Sequence, residues 1–139
     1  QLLRRDFFSW KKIKKVKRMD KKEESRKFRP VVKLQVCTDE PVFGPGLIKL
    51  LEHLEESGSM KEACQKMEMS YSKGWKIINR AERELGTPLL IRHQGGRSGG
   101  KCEITAEGKT LMEKYRAMEA EVKMCARASF ERWFGELVT

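Results

Sequence analysis

The chain has 139 residues, 36% of them charged, and a formal net charge of +10. This length allows one domain with a modest core and solvated arms, and no apolar run approaches the ~20 residues that a membrane-spanning helix needs. The four cysteines form no C-x-x-C pair and have no histidine at ligand spacing, which predicts reduced, mostly buried thiols in the cytoplasm and no metal or cofactor.

Positive charge is concentrated in two segments of the chain. Residues 1–29 hold 13 Lys and Arg against four acidic residues, and residues 70–101 hold seven against two. The segments 30–69 and 102–139 are both slightly acidic. A cationic block inside a nearly neutral domain indicates a polyanion partner for one face, with a merely solvated face as the alternative.

Residues 1–29 form a basic N-terminal arm with a small apolar cluster. Such a composition is typical of a mobile arm or a marginal amphipathic helix, and its expected role is non-specific phosphate contact. Because Met19 is a candidate start, residues 1–18 are either native or a non-native extension.

A winged helix–turn–helix domain is predicted over residues 30–104. Period-two alternation predicts a strand over roughly 31–37, and a turn leads to a short return strand at 42–43. An amphipathic helix then runs over 47–56. Gly58 ends it, because glycine adopts the left-handed conformation without a Cβ penalty.

Two short helices joined by a three-residue turn follow. Ser59 caps the first, with Glu62 three residues on to complete a capping box, and Ser70 caps the second. Gly74 inside the second helix lowers helix stability by roughly 1 kcal/mol relative to Ala. Its presence indicates either tight packing on the preceding helix or a locally adaptable binding surface. The predicted core face comprises Tyr71, Gly74, Trp75, Ile78, Ala81, Glu82 and Leu85. The opposite face is polar and mostly cationic, and it comprises Ser72, Lys73, Lys76, Asn79, Arg80 and Arg83.

A β wing is predicted directly after this helix. Two strands, at 89–93 and 102–104, are joined by a glycine-rich loop that allows close approach of the backbone to a ligand. Arg97 and Lys101 supply positive charge for phosphates, and a flexible connector is the alternative. The loop lacks the spacing of a nucleotide-binding loop.

Residues 105–139 predict a long C-terminal helix, capped by Thr105, with an aromatic tail. Apolar residues recur at alternating spacings of four and three, a heptad pattern that favours pairing with another helix. The tail adds a stripe too apolar to leave in water. The pattern predicts a homodimer, with packing onto the chain's own first helix as the alternative. The predicted dimerisation residues are Leu111, Tyr115, Met118, Val122, Cys125, Phe130, Trp133 and Phe134.

Several runs of residues between Phe43 and about Glu121 share a known pattern: F-G-P-G at 43–46, E-S-G-S-M at 56–60, M-S-Y-S-K-G-W at 69–75, L-G-T-P-L-L-I-R at 85–92, G-G-R-S-G-G-K at 95–101 and I-T-A-E-G at 104–108. This pattern resembles the DNA-binding half of the molybdate-dependent regulators of the ModE family, which is similar to the winged helix–turn–helix of LysR-type regulators. The resemblance implies a mostly α fold with a small β wing, in a dimer that binds operator DNA and regulates transcription. The chain is expected to lack the molybdate-binding or effector domain of these families, so any signal is expected to come through a separate effector-sensing partner.

The sequence thus predicts a homodimeric, sequence-specific, DNA-binding transcriptional regulator that is not an enzyme. A helix–turn–helix of this kind fits the major groove of double-stranded DNA, and a two-fold dimer predicts a pseudo-palindromic operator. The alternative is a protein-interaction adaptor without specific DNA readout. The predicted DNA contacts are Ser70, Tyr71, Ser72, Lys73, Lys76, Arg80, Arg97 and Lys101, although Tyr71 is equally a candidate core residue.

Overall fold

The computed structural model describes residues 27–94 and 100–138. The basic arm up to residue 26 and Arg97 in the wing loop lie outside the described residues. Val31–Cys125 forms one compact unit, and the described residues on either side, 27–30 and 126–138, belong to a second.

The domain begins with a small antiparallel hairpin of β1 (Val36–Cys37) and β2 (Pro41–Phe43). Exposure alternates residue by residue over 31–37, as the sequence predicts, but only the last two residues of that segment form a strand. The partner strand explains this difference: β2 has three residues and ends at Phe43, so the earlier residues have no strand to pair with in the described part of the chain.

Three helices follow the hairpin: α1 (Pro45–Ser57), α2 (Met60–Lys66) and α3 (Tyr71–Leu85). Helix α1 starts two residues earlier than predicted, because a proline in the first turn loses no intrahelical hydrogen bond. It ends at Gly58, whose φ of 67° is left-handed, as predicted.

The predicted serine caps of the next two helices are confirmed, but the capping box is only half formed, because the Ser59 amide donates to Ser57 Oγ and not to the Glu62 side chain. The Ser59 hydroxyl accepts a hydrogen bond from the Glu62 amide, and the Ser70 hydroxyl accepts one from the Lys73 amide. Gly86, at φ 70°, ends α3. Each of the two serine caps provides an acceptor for one of the amides that a helix start leaves without an intrahelical acceptor.

The wing consists of β3 (Leu90–His93) and β4 (Lys101–Ile104), which pair antiparallel along their full length. Thr105 then joins the wing to α4 (Ala106–Phe134), since its hydroxyl donates to the Pro88 carbonyl and accepts from the Gly108 amide. A single 3₁₀ turn, Gly135–Leu137, follows α4. The predicted fold class, a mostly α winged helix–turn–helix with a long C-terminal helix, is confirmed.

The hydrophobic core lies where α1, α2, α3 and the wing meet. Helix α1 supplies the largest share, and the fully enclosed side chains include Leu47, Leu50, Leu51, Leu54, Met60, Ala63, Cys64, Ile78, Ala81, Leu89 and Cys102. One face of α3 therefore packs against the core, and its opposite face points outward. Among the described helices, none is both long enough and apolar enough to cross a bilayer.

The prediction of mostly buried cysteines holds for two of the four. Cys64 and Cys102 are buried in the core, and burial raises the pKa of both thiols. Cys37 and Cys125 are exposed, because one lies in a two-residue strand with no covering layer and the other on the outer surface of α4.

Candidate nucleic-acid interface

The outward face of α3 is polar and cationic. Lys73 and Lys76 are exposed, and neither forms an ion pair with any residue in the described part of the chain. The serine hydroxyls at the helix start, Ser70 and Ser72, lie 3.5 Å apart and are also exposed. This arrangement presents two uncompensated cations and two hydroxyl groups on about two turns of helix.

The opposite face of α3 is fixed by close packing at Gly74. A Cβ built on Gly74 would lie 2.4 Å from Cys64 Sγ and 3.1 Å from Met60 Sδ. No real Cβ approaches a sulfur that closely, so this position requires glycine for α3 to approach α2. Of the two explanations that the sequence allows for Gly74, the structure supports tight packing.

Two aromatic residues lie at the start of α3. Tyr71 is 56% exposed, so it is not the core residue that its helical spacing suggested. Its ring meets the ring of Trp75 edge-on at a centroid distance of 6.2 Å. Trp75 is partly buried against the core, as predicted. Tyr71 is therefore accessible to a ligand at the helix N-terminus.

Arg80 lies on the same face as the two lysines but in a different environment. Its Nη2 donates to Glu40 Oε2 at 2.9 Å, so the cation is paired with an acidic residue of the β1–β2 turn. Its Nε is buried and has no hydrogen-bond partner among the described residues. The charge of the predicted cationic face is thus compensated at Arg80 and, more loosely, at Arg83, whose Nε lies 4.0 Å from Glu84 Oε1.

The wing is tied to α3 through the carboxylate of Glu82. Glu82 Oε2 accepts hydrogen bonds from the amides of Leu89, at 2.8 Å, and Leu90, at 3.4 Å. Its Oε1 accepts from Arg92 Nη2 at 2.7 Å. One side chain of α3 thereby fixes the first strand of the wing.

Arg92 links the wing to α3, and the sequence pattern did not predict this role. Its guanidinium lies 4.7 Å from the centroid of the Trp75 ring, and its Nη2 also donates to Asn79 Oδ1 at 2.8 Å. One signal was present in the sequence: Glu82 falls on the predicted core face, and a carboxylate placed there needs a hydrogen-bond or cationic partner. The spacing alone did not say which of the nearby basic residues would fill that role.

Of the two predicted wing contacts, the structure describes one. Lys101 is exposed at the first position of β4, opposite His93, and forms no ion pair among the described residues. Arg97 lies outside the described residues. In the same part of the chain, His, Cys, Asp and Glu side chains form no group of three or more that could hold a metal ion.

The first two predicted dimerisation residues lie in the intramolecular core instead. Tyr115 is 2% exposed, its hydroxyl donates to the Leu34 carbonyl at 2.9 Å, and its ring meets Phe43 edge-on. Leu111 packs against the core cluster. The first heptad of α4 therefore packs within the chain, but Tyr115 does so against the hairpin and the segment before it, whereas the alternative named only the chain's first helix.

The later predicted dimerisation residues are more open. Met118 and Val122 are half-buried and Cys125 is exposed. In the second unit, the rings of Phe130 and Phe134 stack at 5.5 Å, and Trp133 is 71% exposed. In each unit taken by itself, the predicted interface residues of the C-terminal part of α4 are thus half-buried or exposed among the described residues.

Comparison with known proteins gives matches that are centred on this domain. Residues 46–109 match the family model described as a bacterial regulatory helix-turn-helix protein of the lysR family. The molybdenum transport protein ModE of Azotobacter vinelandii is 34% identical over 85 residues, which are 61% of this chain and 32% of that protein. The DNA-binding transcriptional dual regulator ModE of Escherichia coli K12 is 32% identical over 71 residues, which are 51% of this chain and 27% of that protein.

Among solved structures, CbnR, a LysR family transcriptional regulator, is similar at 22% identity with a TM-score of 0.48, covering 62% of this chain and 28% of CbnR. The chain spans about a third of the length of the curated relatives that it matches. The resemblance to ModE-type and LysR-type regulators that the sequence predicts is confirmed, and it lies in residues 46–109, which are similar to the LysR-type helix–turn–helix.

Proposed function

We propose that this chain, with its LysR-type helix–turn–helix, is a sequence-specific DNA-binding regulator of transcription that acts as a homodimer in the cytoplasm. The observation that carries the proposal is the outward face of α3, where Lys73 and Lys76 have no ion-pair partner among the described residues. Uncompensated cations on an exposed helix displace counterions from DNA, which is the main source of non-specific affinity.

In this proposal α3 enters the major groove. The hydroxyls of Ser70 and Ser72 donate to phosphate oxygens and set the position of the helix. Lys73 and Lys76 donate to guanine O6 and N7 or to phosphates, and Tyr71 contacts the backbone or a thymine methyl group. Lys101 of the wing, together with Arg97, contacts phosphates or the minor groove beside the recognition helix.

The proposed dimer pairs the C-terminal part of α4 with the same part of a second copy. The residues that remain for this interface are Met118, Val122, Cys125, Phe130, Trp133 and Phe134, since Leu111 and Tyr115 are used in the intramolecular core. Two-fold symmetry then requires a pseudo-palindromic operator whose half-sites lie one helical turn, ~34 Å, or a multiple of it apart.

The experiment is selection of bound duplexes from a random pool, followed by titration of the selected sequence over a range of salt concentrations. Lys73→Ala and Lys76→Ala are each expected to weaken binding. If the lysine contacts a phosphate, the slope of log K against log salt falls in magnitude by about 0.9. If it contacts a base, the preference at one position of the operator is relaxed.

The matched control is Lys49→Ala, which removes an exposed lysine from the polar side of α1 and is expected to leave slope and preference unchanged. A wild-type chain that enriches no sequence, or whose salt slope is near zero, would overturn the proposal. That outcome would favour an interaction adaptor instead.

A further inference from the structure

An acidic turn lies beside the recognition helix. The β1–β2 hairpin carries Asp39 and Glu40 at its tip, and Glu40 reaches Arg80, 40 residues away in the chain and in the middle of α3. A carboxylate next to a DNA-binding face is unfavourable for phosphate contact, so its presence there calls for an explanation.

The ion pair is too exposed to be explained by stability. The side chains of Arg80 and Glu40 are 39% and 76% exposed, and pairs with that degree of exposure add little to the free energy of unfolding. Lys73 and Lys76, on the same face, have no such partner among the described residues. Arg83, also on this face, lies 4.0 Å from Glu84 of the same helix, so among the described ion pairs of this face only that of Arg80 reaches a residue outside α3.

The guanidinium of Arg80 is constrained by one hydrogen bond and by the burial of one of its nitrogens. Its Nη2 donates to Glu40 Oε2 at 2.9 Å, and its Nε is enclosed by protein. Because Nε is not accessible, only the terminal amino groups remain for a ligand. The side-on edge that includes Nε is therefore closed, and the end-on edge formed by Nη1 and Nη2 is left to donate two parallel hydrogen bonds.

The charge of Glu40 distinguishes between two classes of ligand for that edge. A phosphate brought against Arg80 would also come close to the Glu40 carboxylate, and the repulsion between the two anions would cancel much of the attraction. The edge of a guanine is neutral overall and presents two acceptors, O6 and N7, so it can bind while the ion pair stays intact.

We infer that Glu40 is a positioning residue that reserves Arg80 for a guanine edge and keeps it from binding phosphate. This inference rests on the proposed function and extends it, because it assigns a role in base readout to a residue outside the helix–turn–helix. Glu40 lowers the affinity for unrelated DNA and thereby raises the ratio of specific to non-specific binding.

The test is Glu40→Gln, which keeps the size of the side chain and its carbonyl acceptor but removes the charge. Affinity for an unrelated duplex is expected to rise several-fold, and the salt slope on that duplex to increase in magnitude by about 0.9, since one more cation becomes available to phosphate. The ratio of specific to non-specific affinity is expected to fall. The matched control is Glu55→Gln, an exposed glutamate on α1, which is expected to change none of these quantities.

A second variant tests the base contact separately. Arg80→Lys keeps the positive charge but removes the fork, so preference for guanine at one position of the selected operator is expected to fall about fivefold or more. Preferences at the other positions are expected to stay as in the wild type.

The outcomes separate this inference from the proposed function. If the wild-type chain selects an operator but Glu40→Gln leaves the salt slope and the affinity ratio unchanged, the inference is wrong and the proposed function stands. Retention of every base preference in Arg80→Lys would also overturn it. If the wild-type chain selects no sequence, both the proposed function and this inference are wrong.

Discussion

At the scale of single residues, Gly74 determines how closely α3 packs against α2. Glycine inside a helix is unfavourable by roughly 1 kcal/mol relative to alanine, yet here it lies against two sulfur atoms of α2 with no room for a methyl group. The energetic cost of glycine is thus offset by the close approach of α3 to α2. The close contact between the two helices also fixes the direction in which the outward face of α3 points.

Gly74→Ala is expected to destabilise the protein in spite of alanine's better helix propensity. Overpacking typically costs about 1–3 kcal/mol and the gain in helix propensity is roughly 1 kcal/mol, so we expect the free energy of unfolding to fall by up to about 2 kcal/mol. Urea denaturation measures this as a lower midpoint at an unchanged m value. Gly46→Ala in the first turn of α1 is the control. A Cβ there meets nothing within 4 Å, so the variant should be neutral or slightly more stable, and equal losses in both variants would contradict the packing argument.

Residue roles that depend on local rules could be predicted from the sequence. Ser59, Ser70 and Thr105 are helix caps because a hydroxyl at that position reaches an amide three residues on, whatever the rest of the fold does. Tyr115 could not be predicted in the same way. Its period within α4 suits a helix–helix seam, but its hydroxyl bonds to the Leu34 carbonyl, 81 residues earlier in the chain. Only the tertiary fold brings that acceptor to it.

At the scale of elements, the Glu82 carboxylate is the connection between the recognition helix and the wing. It accepts two backbone amides at the start of β3 and the guanidinium of Arg92. The existence of two wing strands was predictable from their composition and the glycine-rich loop between them. The way the wing is attached was not, because Glu82 and Arg92 are separated by 10 residues that include a turn, and no periodic pattern relates them.

Glu82→Gln is expected to loosen the wing while leaving the helix bundle folded. An amide is a weaker acceptor than a carboxylate and cannot pair with the Arg92 cation, so we expect a loss of about 1–2 kcal/mol. Hydrogen exchange should become faster at the Leu89 and Leu90 amides, with little change at the core amides of α1. Glu84→Gln is the control, because the one ion pair of Glu84 in the described part of the chain is with Arg83, at 4.0 Å on the exposed surface. If the exchange rates at Leu89 and Leu90 stay at wild-type values in Glu82→Gln, the connection is not the one described.

At the scale of the whole molecule, α4 has two different surroundings along its length. Its first turns belong to the core of the winged domain, through Leu111, Tyr115 and the pairing of Arg116 with Glu52 of α1. Hydrogen bonding to Glu52 raises the pKa of Arg116, so this guanidinium stays charged. Farther along, Met118 and Val122 are only half-buried and Cys125 is exposed. The sequence predicts one continuous heptad seam along α4. In the structure the first part of this seam packs within the chain, and the later part is the surface that a second copy would cover in the proposed dimer.

The proposed homodimer predicts a concentration-dependent protection of one thiol. Cys125 lies on the proposed interface and Cys37 on the hairpin, and both are exposed in the single chain. Below the dimer dissociation constant, a thiol reagent such as Ellman's reagent should modify both. Above it, Cys125 should react more slowly because the partner's α4 covers it, while Cys37 keeps its rate.

Cys37→Ser and Cys125→Ser assign the two fast phases of that reaction. Cys64 and Cys102 should contribute only after unfolding, because burial raises the pKa of both thiols and a raised pKa leaves less of the reactive thiolate at a given pH. Trp133→Ala, which removes the most exposed aromatic of the apolar stripe, should shift the onset of Cys125 protection to higher protein concentration. A Cys125 rate that is independent of concentration, up to concentrations at which the chain sediments as a dimer, would place the dimer interface elsewhere than on α4.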